Sequence, residues 1–194
     1  MPEPDFPRLV SLAAHDLRTP LATVQGFAKT LLRSVELPEP APRYLGMIDE
    51  ASTQLSEILD LLGLAARIED GRYDPVVREA DSLALARAAA EAGGEAISAA
   101  GDGGQVVVDV DAVERSLSQL AVAALRHGGV EAVALRVAGP EVRIGPVATG
   151  AAGVVLGEEL KDLGAAVGVR LVRALGGTVA LDGDELVVTL PQSE

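Results

Sequence analysis

Residues 11–21 (SLAAHDLRTPL) gather the chain's most reactive side chains: His15 beside Asp16, Arg18 and Thr19 three and four positions on, and Pro20 behind them. An imidazole is the side chain suited to nucleophilic or proton-transfer work near neutral pH. A carboxylate next to it can fix its tautomer, as an acid does in a catalytic triad. On a helix, Thr19 shares the face of His15 and Arg18 lies one turn away. Pro20 removes one intrahelical bond and clashes with the Asp16 carbonyl, so the helix is expected to loosen or bend there, at about 3 kcal/mol. Taken as a bare His–Pro pair this is a tolerated kink beside a surface histidine; the full string asks for more.

The other histidine, His127, follows Arg126 at the end of a helical stretch, where a cation meets the helix C-terminus favourably. It reads as a cap-region surface residue rather than a second reactive group. No His/Cys/Asp grouping has metal-ligand spacing, so no structural metal is expected. With no cysteine in the chain, disulfides, thiolate metal sites and a cysteine nucleophile are excluded.

Positioning His15 falls to a long amphipathic helix. Beginning near Asp5, Val10, Ala14, Leu17, Leu21, Val24, Ala28 and Leu31 recur at alternating spacings of four and three, a heptad seam. His15 follows a seam position and so faces solvent. Residues 34–42, with Pro38, Pro40 and Pro42, make a stiff, non-helical connection. Tyr44, Ile48, Ala51, Leu55, Ile58, Leu62 and Ala65 then repeat the same spacing. Two such helices form an antiparallel hairpin that buries only one seam, so a second copy of the chain is the economical way to complete a four-helix bundle; the alternative is packing against the second half of the chain.

That second half mixes strands and helices. Residues 69–79, with Gly71 and Pro75, read as a linker. A helix is expected over 82–92, capped near Asp81 and Ser82, a turn at 101–104 (GDGG), a strand over 105–110 and an amphipathic helix over 111–126. Strands at 130–137 and 141–144 turn at Gly139–Pro140, a small-residue loop spans 146–157, and a helix covers 158–175. A hairpin around Asp182–Gly183 joins strands at 178–181 and 185–190. The fold class is therefore a helical hairpin (residues 1–70) followed by an α/β sandwich (78–194) with helices on one face of the sheet.

Composition narrows the function. The 194 residues are 48% hydrophobic, but only Phe6, Phe27, Tyr44 and Tyr73 are aromatic, so Ala, Leu and Val must pack the core. A net charge of −13 argues against nucleic acid as a partner. The N-terminus lacks the basic and apolar regions of a signal peptide, and no apolar run reaches spanning length. A cytoplasmic protein without membrane contact is expected.

The string HDLRTPL, on the first of two heptad helices and ahead of an α/β sandwich, resembles the phosphoacceptor box of bacterial two-component sensor histidine kinases. The resemblance spans nearly the whole chain and implies that His15 carries a phosphoryl group on a ring nitrogen, oriented by Asp16. It implies that Thr19 helps place a water for dephosphorylating a partner regulator, and that Arg18 meets phosphate oxygens or is simply a solvated charge. In the sandwich the likeness is degenerate. The two asparagine positions of the family's nucleotide site, the second a magnesium ligand, fall on Gln119 and Ala123. Its adenine-binding aspartate has no counterpart in residues 143–150, and its phosphate-binding Gly-x-Gly falls on Asp162 and Gly164. The resemblance therefore points to a homodimeric histidine phosphotransferase with a kinase-like body. It would exchange phosphoryl groups with response-regulator receiver aspartates and bind no ATP or magnesium of its own, the receiver supplying the metal. An active kinase, or a fragment of one, and a non-catalytic dimeric scaffold are the alternatives.

Overall fold

The computed structural model describes residues 5–34 and 37–192, and the chain divides into two compact units, residues 1–73 and 74–194. Val35 and Glu36, in the expected connection, and Pro4, ahead of the first helix, lie outside the described residues.

The first unit is a hairpin of α1 (Asp5–Ser34) and α2 (Ala41–Glu69). Pro42 sits in the first turn of α2, where a missing N–H is harmless. Pro20, by contrast, lies inside α1, and the helix runs through it without a break. The expected loosening does not interrupt it because the hairpin fastens both sides. Arg8 pairs with Asp70 at 3.4 Å and Arg18 with Asp60 at 2.7 Å. Further along, the Gln25 amide donates to Thr53 Oγ1 at 2.8 Å and Lys29 reaches Asp49 at 3.5 Å. From the first clasp to the second, ten residues forward on α1 match ten back on α2. From the third to the fourth, four match four. Together these are four polar clasps in one antiparallel register. Between them Ala14 and Ala28 are buried, and their small side chains let the helices approach. Of the other seam residues, Leu17, Val24, Leu31, Ile48, Leu55 and Ile58 are exposed in the single chain, while Val10, Leu21, Leu62 and Ala65 are partly buried; the residues that α2 buries, Leu59 and Leu64 among them, lie outside the expected seam.

The second unit is a five-stranded sheet in the order β2-β4-β5-β7-β6, with a separate two-stranded ribbon of β1 and β3. Its elements are β1 (Arg78–Asp81), α3 (Ser82–Gly93), β2 (Ile97–Gly103), β3 (Gln105–Val108), α4 (Val110–Gly128), β4 (Val133–Gly139) and β5 (Glu141–Gly145). After these come the short α5 (Ala152–Val155), then α6 (Leu163–Ala174), β6 (Thr178–Asp182) and β7 (Glu185–Thr189). Strict alternation on β4, β5 and β7 sends Leu135, Val137, Val142, Ile144, Leu186 and Val188 into one core with Leu117 and Leu120 of α4 and Val169 of α6. Each of the helices α3, α4 and α6 starts at an aspartate whose carboxylate accepts an amide N–H: Asp81 from Ala84, Asp109 from Ala112 and Asp162 from Ala165. Each such cap contributes about 1 kcal/mol.

Several sequence expectations for this unit need correction. Residues 101–103 are not a turn but the end of β2, which pairs in parallel with β4 from Ile97–Val133 to Gly103–Gly139. The linker is shorter than expected, because residues 78–81 form β1 against β3. The loop at 146–157 contains a 3-10 turn (Thr149–Ala151) and α5. The last helix begins at Leu163 rather than at Glu158, since Asp162 caps it and the preceding residues turn.

Gly101 explains the first of these. Its φ is +130°, and a Cβ there would lie 2.1 Å from the Val137 carbonyl oxygen across the ladder. Gly101→Ala is therefore expected to destabilise the second unit by about 2 kcal/mol or more. The check is a lowered denaturant midpoint for that unit with the hairpin's helical signal retained.

Candidate functional site

His15 stands on an exposed position of α1, directly after buried Ala14, with Asp16 and Thr19 also exposed. The helix geometry that puts Ala14 against Gly63 of α2, 3.9 Å from where a Cβ would sit, turns the next side chain outward. Pro20 has no N–H to give, so the Asp16 carbonyl lacks its usual helical partner. Thr23 donates instead to the Thr19 carbonyl at 3.0 Å. Among the described residues no hydrogen bond joins Asp16 to His15. Arg18 is committed to Asp60, donating through Nε at 3.1 Å and Nη2 at 2.7 Å.

His15 also borders a cavity of about 400 Å³ within the hairpin, lined by Ser11, by Arg8 and Arg18 of α1, and by Arg67 and Arg72 at the far end of α2. The sequence reading singled out only Arg18 of these four arginines. The signal for the rest was present. Once the hairpin register is known, an arginine early in α1 and one late in α2 must meet. Reading residues 69–79 as linker kept Arg72 out of consideration.

In the second unit the structure brings Gln119, Asp162 and Gly164 together and shows what each does. Gln119 packs against Gly164, its side-chain carbons 3.2 and 3.3 Å from where a Cβ would project. Ala123 is fully buried in the core. Gly168, one turn past Gly164, lies against Ser116 and Leu120, so α6 packs closely on α4. Asp162 is the N-cap of α6 and also accepts from Arg126 Nη1 at 3.1 Å; His127 Nε2 lies 3.1 Å from the same oxygen. His127 is thus not a free cap-region surface residue. It is half-buried in α4, which continues to Gly128, and is held by an acid 35 positions away.

Burial pushes the Asp162 carboxyl up, but the Ala165 amide, His127 and Arg126 together outweigh it and hold the carboxyl below its ordinary value. The folded pKa is lowered, so its stabilisation is complete above the unfolded carboxylate value and is lost as pH falls through the folded one. Asp162→Asn should therefore cost about 1 kcal/mol at neutral pH. The gap from wild type should close below about pH 4, as followed by unfolding curves across pH.

Among the described residues no helix is long and apolar enough to cross a membrane, and no cluster of His, Cys, Asp and Glu could hold a metal ion.

Residues 8–71 match the family model "His Kinase A (phospho-acceptor) domain". No curated protein matches. Among solved structures, full-length ShkA in complex with AMPPNP superposes with a TM-score of 0.73 at 24% identity, over 95% of this chain. The chain spans 46% of the length of that protein. The Acinetobacter baumannii histidine kinase AdeS gives 0.57 at 21% identity over 93% of this chain and 98% of its own. The ATP binding domain of PrrB from Mycobacterium tuberculosis gives 0.50 at 22%, covering 61% of this chain and 99% of its own. The first unit thus matches a phospho-acceptor domain of the His Kinase A type, and the fold of the chain is similar to that of these solved structures.

Proposed function

We propose that this protein is a histidine phosphotransferase: a homodimer that takes a phosphoryl group onto His15 from a receiver-domain phosphoaspartate and passes it to another receiver, without ATP. In each step the imidazole nitrogen attacks phosphorus, the acyl-phosphate bond to the aspartate breaks, and the regained carboxylate leaves; onward transfer is the reverse on a second receiver. Such transfer needs a positioned nucleophile and the receiver's own magnesium, and no nucleotide. Asp16 would orient the imidazole once the docked receiver selects its rotamer, and Thr19 would place the water for dephosphorylating the regulator.

What supports this reading is the set of residues at the positions that the resemblance assigns to a nucleotide. Asp162 puts a carboxylate where a phosphate would need a bare backbone, and the cations Arg126 and His127 are already turned onto it. Ala123 offers no oxygen to a metal, and Gln119 fills the space over Gly164. These residues fit MgATP poorly.

ATP-dependent autophosphorylation is the second reading, favoured by the overlay on a kinase crystallised with a nucleotide analogue. One experiment separates the two. Wild-type protein is titrated with MgATP by calorimetry and, in parallel, mixed with a ³²P-labelled receiver. Label reaching His15 with no heat of nucleotide binding supports phosphotransfer. Saturable MgATP binding with self-labelling gives the kinase reading, and receiver binding without label gives a scaffold.

A further inference from the structure

We infer that the cavity beside His15 is an anion site built for a phosphate-class dianion, with Asp70 as its resident counter-ion. The inference deepens the reading of His15 as a phosphoacceptor and rests on it for the identity of the anion.

Cations converge here against the trend of the molecule. The chain carries a net charge of −13, yet four arginines line one cavity of the hairpin. The guanidiniums of Arg18 and Arg67 each come within 3.6 Å of the point where a Cβ on Gly63 would sit, so they face each other across a residue with no side chain. Bringing like charges together is unfavourable unless an anion joins them. The acids paired with these arginines are Asp60, which holds Arg18, and Asp70, which is shared by Arg8 and Arg72. The Arg67 guanidinium has no ion-pair or hydrogen-bond partner among the described residues. With four arginines against two acids, the cluster carries an excess of positive charge.

The Asp70 side chain is only 11% exposed, whereas those of Arg8 and Arg72 are 62% and 50% exposed. The arginines can swing while the acid stays. Guanidinium matches a phosphate edge with two parallel N–H donors, and a dianion offers more acceptor oxygens and charge than one carboxylate. At about 400 Å³ the cavity has room for a phosphate and several waters, each water needing about 30 Å³. A dianion seated here would draw Arg67 and Arg72 onto itself, with Arg72 leaving Asp70. The dianion is either the phosphoryl group on His15 or free inorganic phosphate.

The test uses the full chain. Inorganic phosphate is titrated by calorimetry into wild type, His15→Ala, the double variant Arg67→Ala/Arg72→Ala and Asp70→Asn, with Arg33→Ala as a control outside the cavity. Saturable binding is expected in wild type, weakened at least ten-fold in the double variant and tightened several-fold in Asp70→Asn. Damage to the fold could not produce the tightening. In a second arm His15 is phosphorylated with phosphoramidate, whose P–N bond breaks as the His15 N–P bond forms and ammonia leaves with the imidazole proton. The decay of phosphohistidine is then followed by ³¹P NMR. A several-fold shorter lifetime in the double variant identifies the covalent phosphoryl group as occupant. Phosphate binding retained in His15→Ala with unchanged lifetimes identifies the free anion. If the double variant alters neither binding nor lifetime, or Asp70→Asn weakens binding, the site is overturned, although His15 could still accept label from a receiver. Failure of receiver transfer alone would remove the phosphotransfer reading and leave the phosphate isotherms standing.

Discussion

Replacing His15 with glutamine is expected to reduce phosphoryl acceptance to background, a fall of more than about 10³-fold, because a covalent nucleophile has no substitute. The other imidazole cannot stand in. His127 is in the second unit, half-buried, with Nε2 on the Asp162 carboxylate. His15 is exposed and makes no hydrogen bond among the described residues, so the change should leave stability within about 0.5 kcal/mol. The measurement is transfer of ³²P from a labelled receiver, with thermal unfolding of both proteins alongside. Label persisting in the glutamine variant would move the phosphoacceptor elsewhere, and a large stability loss would mean that His15 is a packing residue.

The second large effect concerns assembly. Leu17, Val24 and Leu31 are 54%, 48% and 40% exposed and follow one another at heptad spacing, with Leu55 and Ile58 at 50% and 44% on α2. An apolar stripe of this length on both helices is rarely left to water. A second copy of the hairpin would cover it as a four-helix bundle. In a two-fold interface each substitution occurs twice. Val24→Lys with Leu55→Lys would thus place four unpaired ammonium groups in the seam and forfeit about 1.5–3 kcal/mol of burial at each site. The dimer should weaken more than about 10³-fold. Light scattering behind size exclusion should give a dimer for wild type and a monomer for the variant. A wild-type monomer at tens of micromolar would contradict the proposed assembly.

What the sequence made legible follows from periodicity. The two hairpin helices carry heptads long enough to fix their type but not their buried side: α1 buries only Ala14 and Ala28 of its heptad, and the residues that α2 buries, Leu59, Leu61, Leu64 and Ala66 among them, lie outside the expected seam. Val and Leu alternation gave β4, β5 and β7 for the same reason. Where one residue decides, pattern fails. The end of β2 reads as a turn at 101–104 because Gly101, Gly103 and Gly104 are turn residues by frequency, whereas here Gly101 permits a positive φ and close approach to Val137 inside a parallel pair. The sequence at 158–161 has helix-forming composition, but Asp162 offers its carboxylate to the Ala165 amide and starts α6 five residues later. The same aspartate falls where the resembled family carries a phosphate-binding glycine. Its bonds to Arg126 and His127, more than thirty positions away, could not be read from one chain, because nothing periodic links them.

The uniform register of the hairpin's clasps has a mechanical consequence. Sliding α1 along α2 by one helical turn, about 5.4 Å, would break Arg8–Asp70, Arg18–Asp60, Gln25–Thr53 and Lys29–Asp49 together, and of the three cations Arg18 alone would meet another acid of α2 one turn away, Glu57. The clasps therefore resist translation as one set, and the height of His15 along α2 is held by all four at once.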